Sequence, residues 1–241
     1  MKENNLDTHV SAYNKSFKYE LDNKLMLNWY AKRVISKLGK GNLLELGVGH
    51  GYSSRKFSEV LGDYTILEGS PAVIEQFYNS NTDLNHVKII ETYFEDFHTD
   101  DKFDNIVMGF VLEHVNNPKD ILEKYKNMLS KTGRLFVSVP NATSLHRQLA
   151  NIAGILPDML RLSDADIELG HLRYFTPESL KSLVESCGYE VLSIEGLFLK
   201  PFTTSQLLSL ELDDAIFEAL MEKGIEYPEL STGLLLEAKI R

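Results

Sequence analysis

Apolar residues recur at helical spacing at Leu27, Tyr30, Val34 and Leu38, and Gly39 and Gly41 then break the pattern. Steps of three and four residues put such positions on one helix face, so a helix ends here and a first strand follows at Leu43 to Leu46. Short strand-like runs recur at Tyr64 to Leu67, Val87 to Ile90, Asn105 to Met108 and Leu135 to Val139, with helical patterns after several of them. That alternation predicts βαβ units and a doubly wound, mostly parallel sheet. Three helices are expected to open on a polar cap followed by proline: Ser70-Pro71, Asn117-Pro118 and Thr176-Pro177. The cap side chain accepts an unpaired backbone N–H, and proline at the first helical position has none to leave unpaired. Asp120 adds an acid at the positive end of the second helix, and Gly188 offers a C-terminal cap to the third. Val191 to Ile194 and Leu234 to Ile240 read as two closing strands.

Between Pro140 and His171 no sheet strand is expected, and Leu145, Leu149, Ile152 and Leu156 form one apolar helical stripe before Pro157. This predicts an inserted helix, either a lid over a site or a helix packed on the core; periodicity does not separate the two. The expectation is therefore one domain in four parts: a helical cap over 1–41, a core over 42–140, an insertion over 141–175, and a helix with closing strands over 176–241.

Composition narrows the function. The 241 residues are 43% hydrophobic and carry a formal net charge of −10, a poor match for phosphate backbones or anionic membranes. Nucleic acid and membrane partners are thus not expected. No apolar run approaches the roughly 20 residues that cross a bilayer, the first residues do not read as a signal peptide, and the single cysteine, Cys187, forms no internal disulfide. These features suit the cytoplasm.

The candidate chemistry begins at LLELGVGHG, Leu43 to Gly51. Gly47, Gly49 and Gly51 permit a tight turn and close approach of a ligand to the backbone. A dinucleotide fingerprint would want glycine where Tyr52 stands, and Glu45 is ill placed for a pyrophosphate. An acid before the glycines suits a cationic ligand such as S-adenosylmethionine, which bears a sulfonium and an ammonium. Glu68 ends the second strand, where a carboxylate can accept from both hydroxyls of a ribose. After the third strand, Tyr93 and Phe94 offer walls for an adenine, with Phe94 equally readable as core, and Glu95 or Asp96 an acceptor for its amine.

ELGVGHG, then Glu68, then the FDxIxxxxxLEHVxxP segment from Phe103 to Pro118 together resemble class I S-adenosylmethionine-dependent methyltransferases that act on quinones, sugars and other metabolites. The later segments VPNATSLHRQL, GHLRYFTPESLKSLVESCGYEV and FLKPF are similar to bacterial methyltransferases of cell-surface glycan and natural-product pathways. The resemblance implies a Rossmann-like sheet of seven strands with a reversed C-terminal strand, Gly47 and Gly49 at the methionine portion of the cofactor, Glu68 at its ribose, and Gly109 and Phe110 at its amino-acid end. It says nothing about the acceptor. In the ubiquinone-type enzymes a glutamate three residues before the Glu of LEH completes a metal site, but that position here is Phe110. Glu113 and His114 alone are a thin ligand set, so no required metal is expected.

Seven histidines are available to remove an acceptor proton. His9, His86 and His98 read as surface residues, His50 as part of the glycine turn, and His146 as reaching either the acceptor or the solvent, with solvent preferred. His171 is the first choice of base, beside Arg173 as a holder of an anionic group, and His114 the second. The expected reaction is O-methylation of a small polar metabolite, with a sugar or nucleotide-linked sugar foremost. N-methylation of an amino sugar or small amine is the alternative, and a non-catalytic cofactor-binding protein a more distant one.

Overall fold

The computed structural model describes residues 20–241 apart from Asp63 and Asn85; the first 19 residues of the expected N-terminal cap, His9 among them, lie outside the described residues. Helices α1 (Glu20–Ile35), α2 (Tyr52–Val60), α3 (Pro71–Ser80) and α4 (Pro118–Lys126) alternate with strands β1 (Leu43–Leu46), β2 (Tyr64–Glu68), β3 (Lys88–Glu91), β4 (Phe103–Gly109) and β5 (Leu129–Pro140). Then come α5 (Leu145–Ile152), α6 (Asp164–Glu168), α7 (Pro177–Ser186), β6 (Tyr189–Leu197), α8 (Thr204–Ser209), α9 (Asp214–Gly224) and β7 (Gly233–Ile240).

The seven strands form one sheet in the order β3-β2-β1-β4-β5-β7-β6. β1 to β5 pair in parallel, while β7 runs antiparallel to both β5 and β6, the reversed strand that the resemblance implied. The chain winds outward from β1 to β3 and returns to place β4 on β1's other side. That reversal opens a crevice at the C-terminal ends of β1 and β4, where open α/β sheets bind ligands. β1 and β2 are buried at every position, and β4 at all but Asp104 and Gly109. One apolar core gathers Leu44, Leu46, Met108 and Leu122 with α4 and α7; the other gathers Tyr30, Val34, Phe57 and Ile66 with α1, α2 and α3.

The polar caps behave unequally. Ser70 accepts from Val73 N and Thr176 from Ser179 N, whereas Asn117 precedes α4 without a side-chain cap bond. β5 begins six residues before the expected Leu135, because polar Ser130 to Gly133 conceal a strand whose ladder is interrupted between Phe103 and Asn105 of β4. The long connection before β7 holds α8 and α9, which the sequence reading did not separate. Phe217 and Met221 of α9 pack with Phe198 and Leu207 into a small third core against Leu25 and Trp29 of α1.

The insertion carries α5 and α6, but its apolar stripe is the outward face. Leu149 is 43% exposed and Ile152 82%, while Arg147 is buried. The polar side of α5 turns inward because it has polar partners there, and that side lines the site.

Candidate active site

A cavity of about 410 Å³ opens at the crevice. The glycine turn forms its floor. Gly47 takes φ 81°, a left-handed conformation that a side chain resists, and a Cβ there would project between Phe94 and Val111, which both line the cavity. Gly47 N donates to Leu67 O and Gly51 N to Val48 O, which locks the turn to β2. Glu68 lines the cavity beside it, 9% exposed, and accepts from Val48 N at 3.1 Å and Ser70 N at 2.9 Å.

Glu45 stands elsewhere. It is absent from the cavity lining; its oxygens accept from Ser53 Oγ at 2.9 Å, Ser54 Oγ at 2.7 Å and Tyr64 Oη. Burial pushes its carboxyl up to about 7 against these three donors. Alternation along β1 turns this side chain toward α2, so it fastens the helix behind the turn and does not face the ligand. This corrects the expectation of direct contact.

Gly49, Tyr93, Phe94, Glu95, Gly109 and Phe110 all line the cavity, and Asp96 does not. Gly109 has no room for a side chain, since a Cβ would meet Tyr30 Oη at 2.6 Å. Phe110 is held at φ 58°, rare for a bulky residue, with its ring edge-on to Tyr30. Such strain persists where the surroundings over-determine it, and here it turns the chain from β4 across the mouth of the cavity.

The far wall is built from two distant segments. Glu113 and His114 follow β4; His171 and Tyr174 end the insertion, and Leu172 N donates to Glu113 O at 2.8 Å to tie them together. The rings of His114 and His171 meet edge to face with centroids 4.8 Å apart. His171 Nδ1 lies 3.5 Å from Asp166 Oδ1, an ion-pair separation longer than a well-formed hydrogen bond. Asp166 Oδ2 accepts from Ser163 N at 2.7 Å, Ser163 Oγ at 2.6 Å and Tyr174 Oη at 2.9 Å. Burial pushes Asp166 up, but His171 and Ser163 more than offset it and hold the carboxyl down to about 2.

Glu113 is fully buried and neither of its carboxylate oxygens has a hydrogen-bond partner. Burial pushes it up to about 7, with His171 and Arg173 pulling the other way. Its folded value thus lies above its unfolded one, so the fold is favoured while both states are protonated, and stability falls as pH rises from the unfolded value through about 7. The difference is worth about 3 kcal/mol. Glu113→Gln is therefore expected to unfold at a higher temperature than the parent at pH 8.5 and to lose that advantage near pH 4.5. A less stable Gln variant at pH 8.5 would mean that the neighbouring cations hold Glu113 ionised.

Other expectations move. Arg173 is spent on the backbone, donating to Leu112 O at 3.0 Å, Asn116 O at 3.1 Å and Val115 O, and does not line the cavity. His146 does line it and is no solvent-facing residue: burial, with Lys200 and Arg147, pushes it down to about 3. His50 lines the cavity and exchanges a 3.1 Å hydrogen bond with Asn23, while His86 and His98 are exposed. The ligand count changes too. Glu113, His114 and His171 present ligand atoms within 4.8 Å of one another, so the fold adds a third member to the pair that sequence reading found too thin.

Asp166, Arg147 and Lys200 were missed. Ser163-x-x-Asp166 is legible as a capping box, and the structure forms one. Nothing in that spacing reveals that the same carboxylate also meets His171.

The sheet order, the reversed β7 and the glycine turn opening on this cavity define a class I methyltransferase fold. The profile of the family described as "Methyltransferase domain" matches residues 18–194, and the chain belongs to that family. Its domain is of the kind that uses S-adenosylmethionine. The chain is 27% identical over 197 residues to the ubiquinone biosynthesis O-methyltransferase of Pseudomonas entomophila, covering 79% of this chain and 82% of that one. It is 24% identical over 176 residues to the mitochondrial ubiquinone biosynthesis O-methyltransferase of Dictyostelium discoideum, covering 67% of this chain; the match spans about half, 54%, of that relative's length. A solved Thermotoga maritima S-adenosylmethionine-dependent methyltransferase, described as a possible histamine N-methyltransferase, superposes with a TM-score of 0.64 at 18% identity over 98% of both chains, a likeness of fold. Among the described residues no helix is long and apolar enough to cross a membrane.

Proposed function

We propose that the protein methylates an oxygen of a small polar acceptor, using S-adenosylmethionine, with His171 taking the acceptor proton. The observation that carries this reading is the meeting, in one cavity, of the glycine turn and Glu68 with the Asp166–His171 pair. The residues present fit the cofactor, since all of them line one cavity: Gly47 and Gly49 would leave space at the turn, Glu68 would accept from the ribose, Tyr93 and Phe94 would flank the adenine with Glu95 at its amine, and Gly109 and Phe110 would meet the amino-acid end. When bound, the cofactor supplies a methyl group already activated by its sulfonium. What remains for the chain is orientation, exclusion of water and proton removal. Asp166 lies 3.5 Å from Nδ1 of His171, close enough to favour the imidazolium electrostatically, and the proton is taken at the ring's other nitrogen, Nε2. His114 fixes the other side of that ring.

The names of the two curated relatives favour oxygen as the methylated atom. Sugars and nucleotide-linked sugars stay in the acceptor class with phenols, as hydroxyl-bearing molecules that fit a cavity of about 410 Å³. The net charge of −10 supports a small molecule over nucleic acid, and a lone, buried Cys187 suits a reducing cytoplasm.

The reading is tested by turnover with methyl-labelled cofactor across sugars, sugar nucleotides, phenols and amines, each with and without a chelator. Hydroxyl acceptors are expected to turn over, and unchanged rates in chelator are expected because the methyl donor needs no Lewis acid. Turnover of amines alone would move the reaction to nitrogen. Activity lost in chelator and restored by magnesium or zinc would make Glu113, His114 and His171 a cation site.

A further inference from the structure

The start of α5 also lines the cavity, and three side-chain polar atoms there have no partner. Ser144, the residue before the helix, is fully buried; its Oγ caps nothing and has no partner. Arg147 is 8% exposed, yet no carboxylate pairs with it. Its terminal nitrogens donate to Met159 O at 2.6 Å, Arg161 O at 2.8 Å and Tyr174 Oη at 3.2 Å, and the guanidinium lies 4.2 Å from the centroid of the Tyr174 ring. Nε is left buried and unpartnered, as is Nδ1 of His146. Across from them Lys200, 3% exposed, lines the same cavity with its charge met by Asp22 at 2.5 Å.

A buried cation without a counter-ion is costly, and several unsatisfied polar groups at one place make it costlier. The three side chains also sit at the positive end of α5, whose backbone dipole favours an anion. Burial is the main reason that His146 is depressed, and Lys200 and Arg147 both add to it by opposing its protonation. Asp166, the nearby acid, is already committed to His171, Ser163 and Tyr174.

We propose that the acceptor carries an anionic group, a carboxylate or a phosphate, which seats against Arg147, His146 and Ser144 at the N-terminus of α5 and directs the reacting atom toward His171. The term acceptor rests on the methyl-transfer reading; the anion site does not. Arg147 meets such a group through Nε, and Ser144 donates its free hydroxyl. The insertion then fixes which acceptors bind, while the glycine turn and Glu68 serve the cofactor.

The test uses the full chain saturated with S-adenosylhomocysteine and titrated with inorganic phosphate or acetate, with chloride at equal ionic strength as reference. Saturable binding by calorimetry and a matching rise in Tm are expected from at least one anion, and the responding anion tells phosphate from carboxylate. Arg147→Met is expected to weaken that binding about tenfold or more, and Ser144→Ala about threefold or more, with affinity for S-adenosylhomocysteine kept. Ser144→Ala removes a hydroxyl that holds nothing in the protein, so it remains informative if Arg147→Met does not fold. Equal anion affinity in the folded variants overturns the proposal. So does a parallel loss of S-adenosylhomocysteine affinity, which would assign these residues to the cofactor's own carboxylate. Neither readout uses methyl transfer. Anion binding without turnover of any acceptor would keep the site and remove the methyl-transfer reading; turnover of uncharged acceptors with no anion binding would do the reverse.

Discussion

Replacing His171 by asparagine is expected to lower kcat by roughly 10² to 10⁴ with affinity for S-adenosylmethionine unchanged, the range of a positioned general base. A neutral hydroxyl is a weak nucleophile, so removing its proton as the new bond forms is the step where the chain's chemistry has most effect. His171 is suited by position: it lines the cavity at the end of the insertion, and Asp166 stands at Nδ1 to stabilise the imidazolium that forms. Asparagine keeps a polar side chain of similar reach but cannot accept the proton. His114 touches the same ring edge-on, so His114→Asn is expected to have a smaller effect, through loss of ring position. Near-normal kcat in His171→Asn would remove it as base. Equally mild results at both histidines would leave orientation as the chain's contribution, as an amine acceptor requires.

Much of the fold was legible because its determinants are local. Apolar runs of four or five residues bounded by turns located the parallel strands, and Ser70-Pro71 and Thr176-Pro177 placed two helix starts with their caps. β5 was truncated because Ser130 to Gly133 look like a loop; pairing with β4 extends it, and pairing is not local. The stripe on α5 shows the opposite failure. Its apolar residues are periodic, but the helix buries Arg147 and exposes Ile152 because the polar side faces a polar cavity.

That Gly47 and Glu68 would share one cavity was legible for a related reason: they sit at strand ends, and the sheet order brings strand ends together. Glu45 differs because strand alternation points it away. The far wall of the cavity was half visible. His114 and His171 could be named as candidates, but their contact joins segments 57 residues apart, and the Asp166 beside them was disguised as a helix cap. Arg173 was singled out and Arg147 missed for the same reason, since both meet backbone carbonyls and only the fold determines which of them also lines the cavity with a free nitrogen.

Glu68→Ala is expected to weaken S-adenosylmethionine binding by about 10² to 10⁴. Two charge-assisted hydrogen bonds to the ribose hydroxyls contribute about 1.5 to 3 kcal/mol each, and every 1.4 kcal/mol is about tenfold in affinity. The side chain also organises the turn itself: Val48 N donates to one oxygen and Ser70 N to the other, so alanine leaves two N–H groups without their acceptor at the cavity floor. Glu68→Gln separates the two contributions. It retains one carbonyl acceptor but presents an N–H₂ where Glu68 accepts from Val48 or Ser70, so it is expected to bind the cofactor more weakly than the parent and to share part of the alanine variant's instability. Calorimetry with S-adenosylmethionine, paired with thermal unfolding in the absence of ligand, reads both. If the ribose contacts dominate, affinity falls far more than stability in both variants. If the turn dominates, the unliganded protein is destabilised by a comparable free energy, and the cofactor loses affinity because its floor is no longer formed. Unchanged affinity in a folded alanine variant would remove Glu68 from the site and leave the ribose to another acceptor.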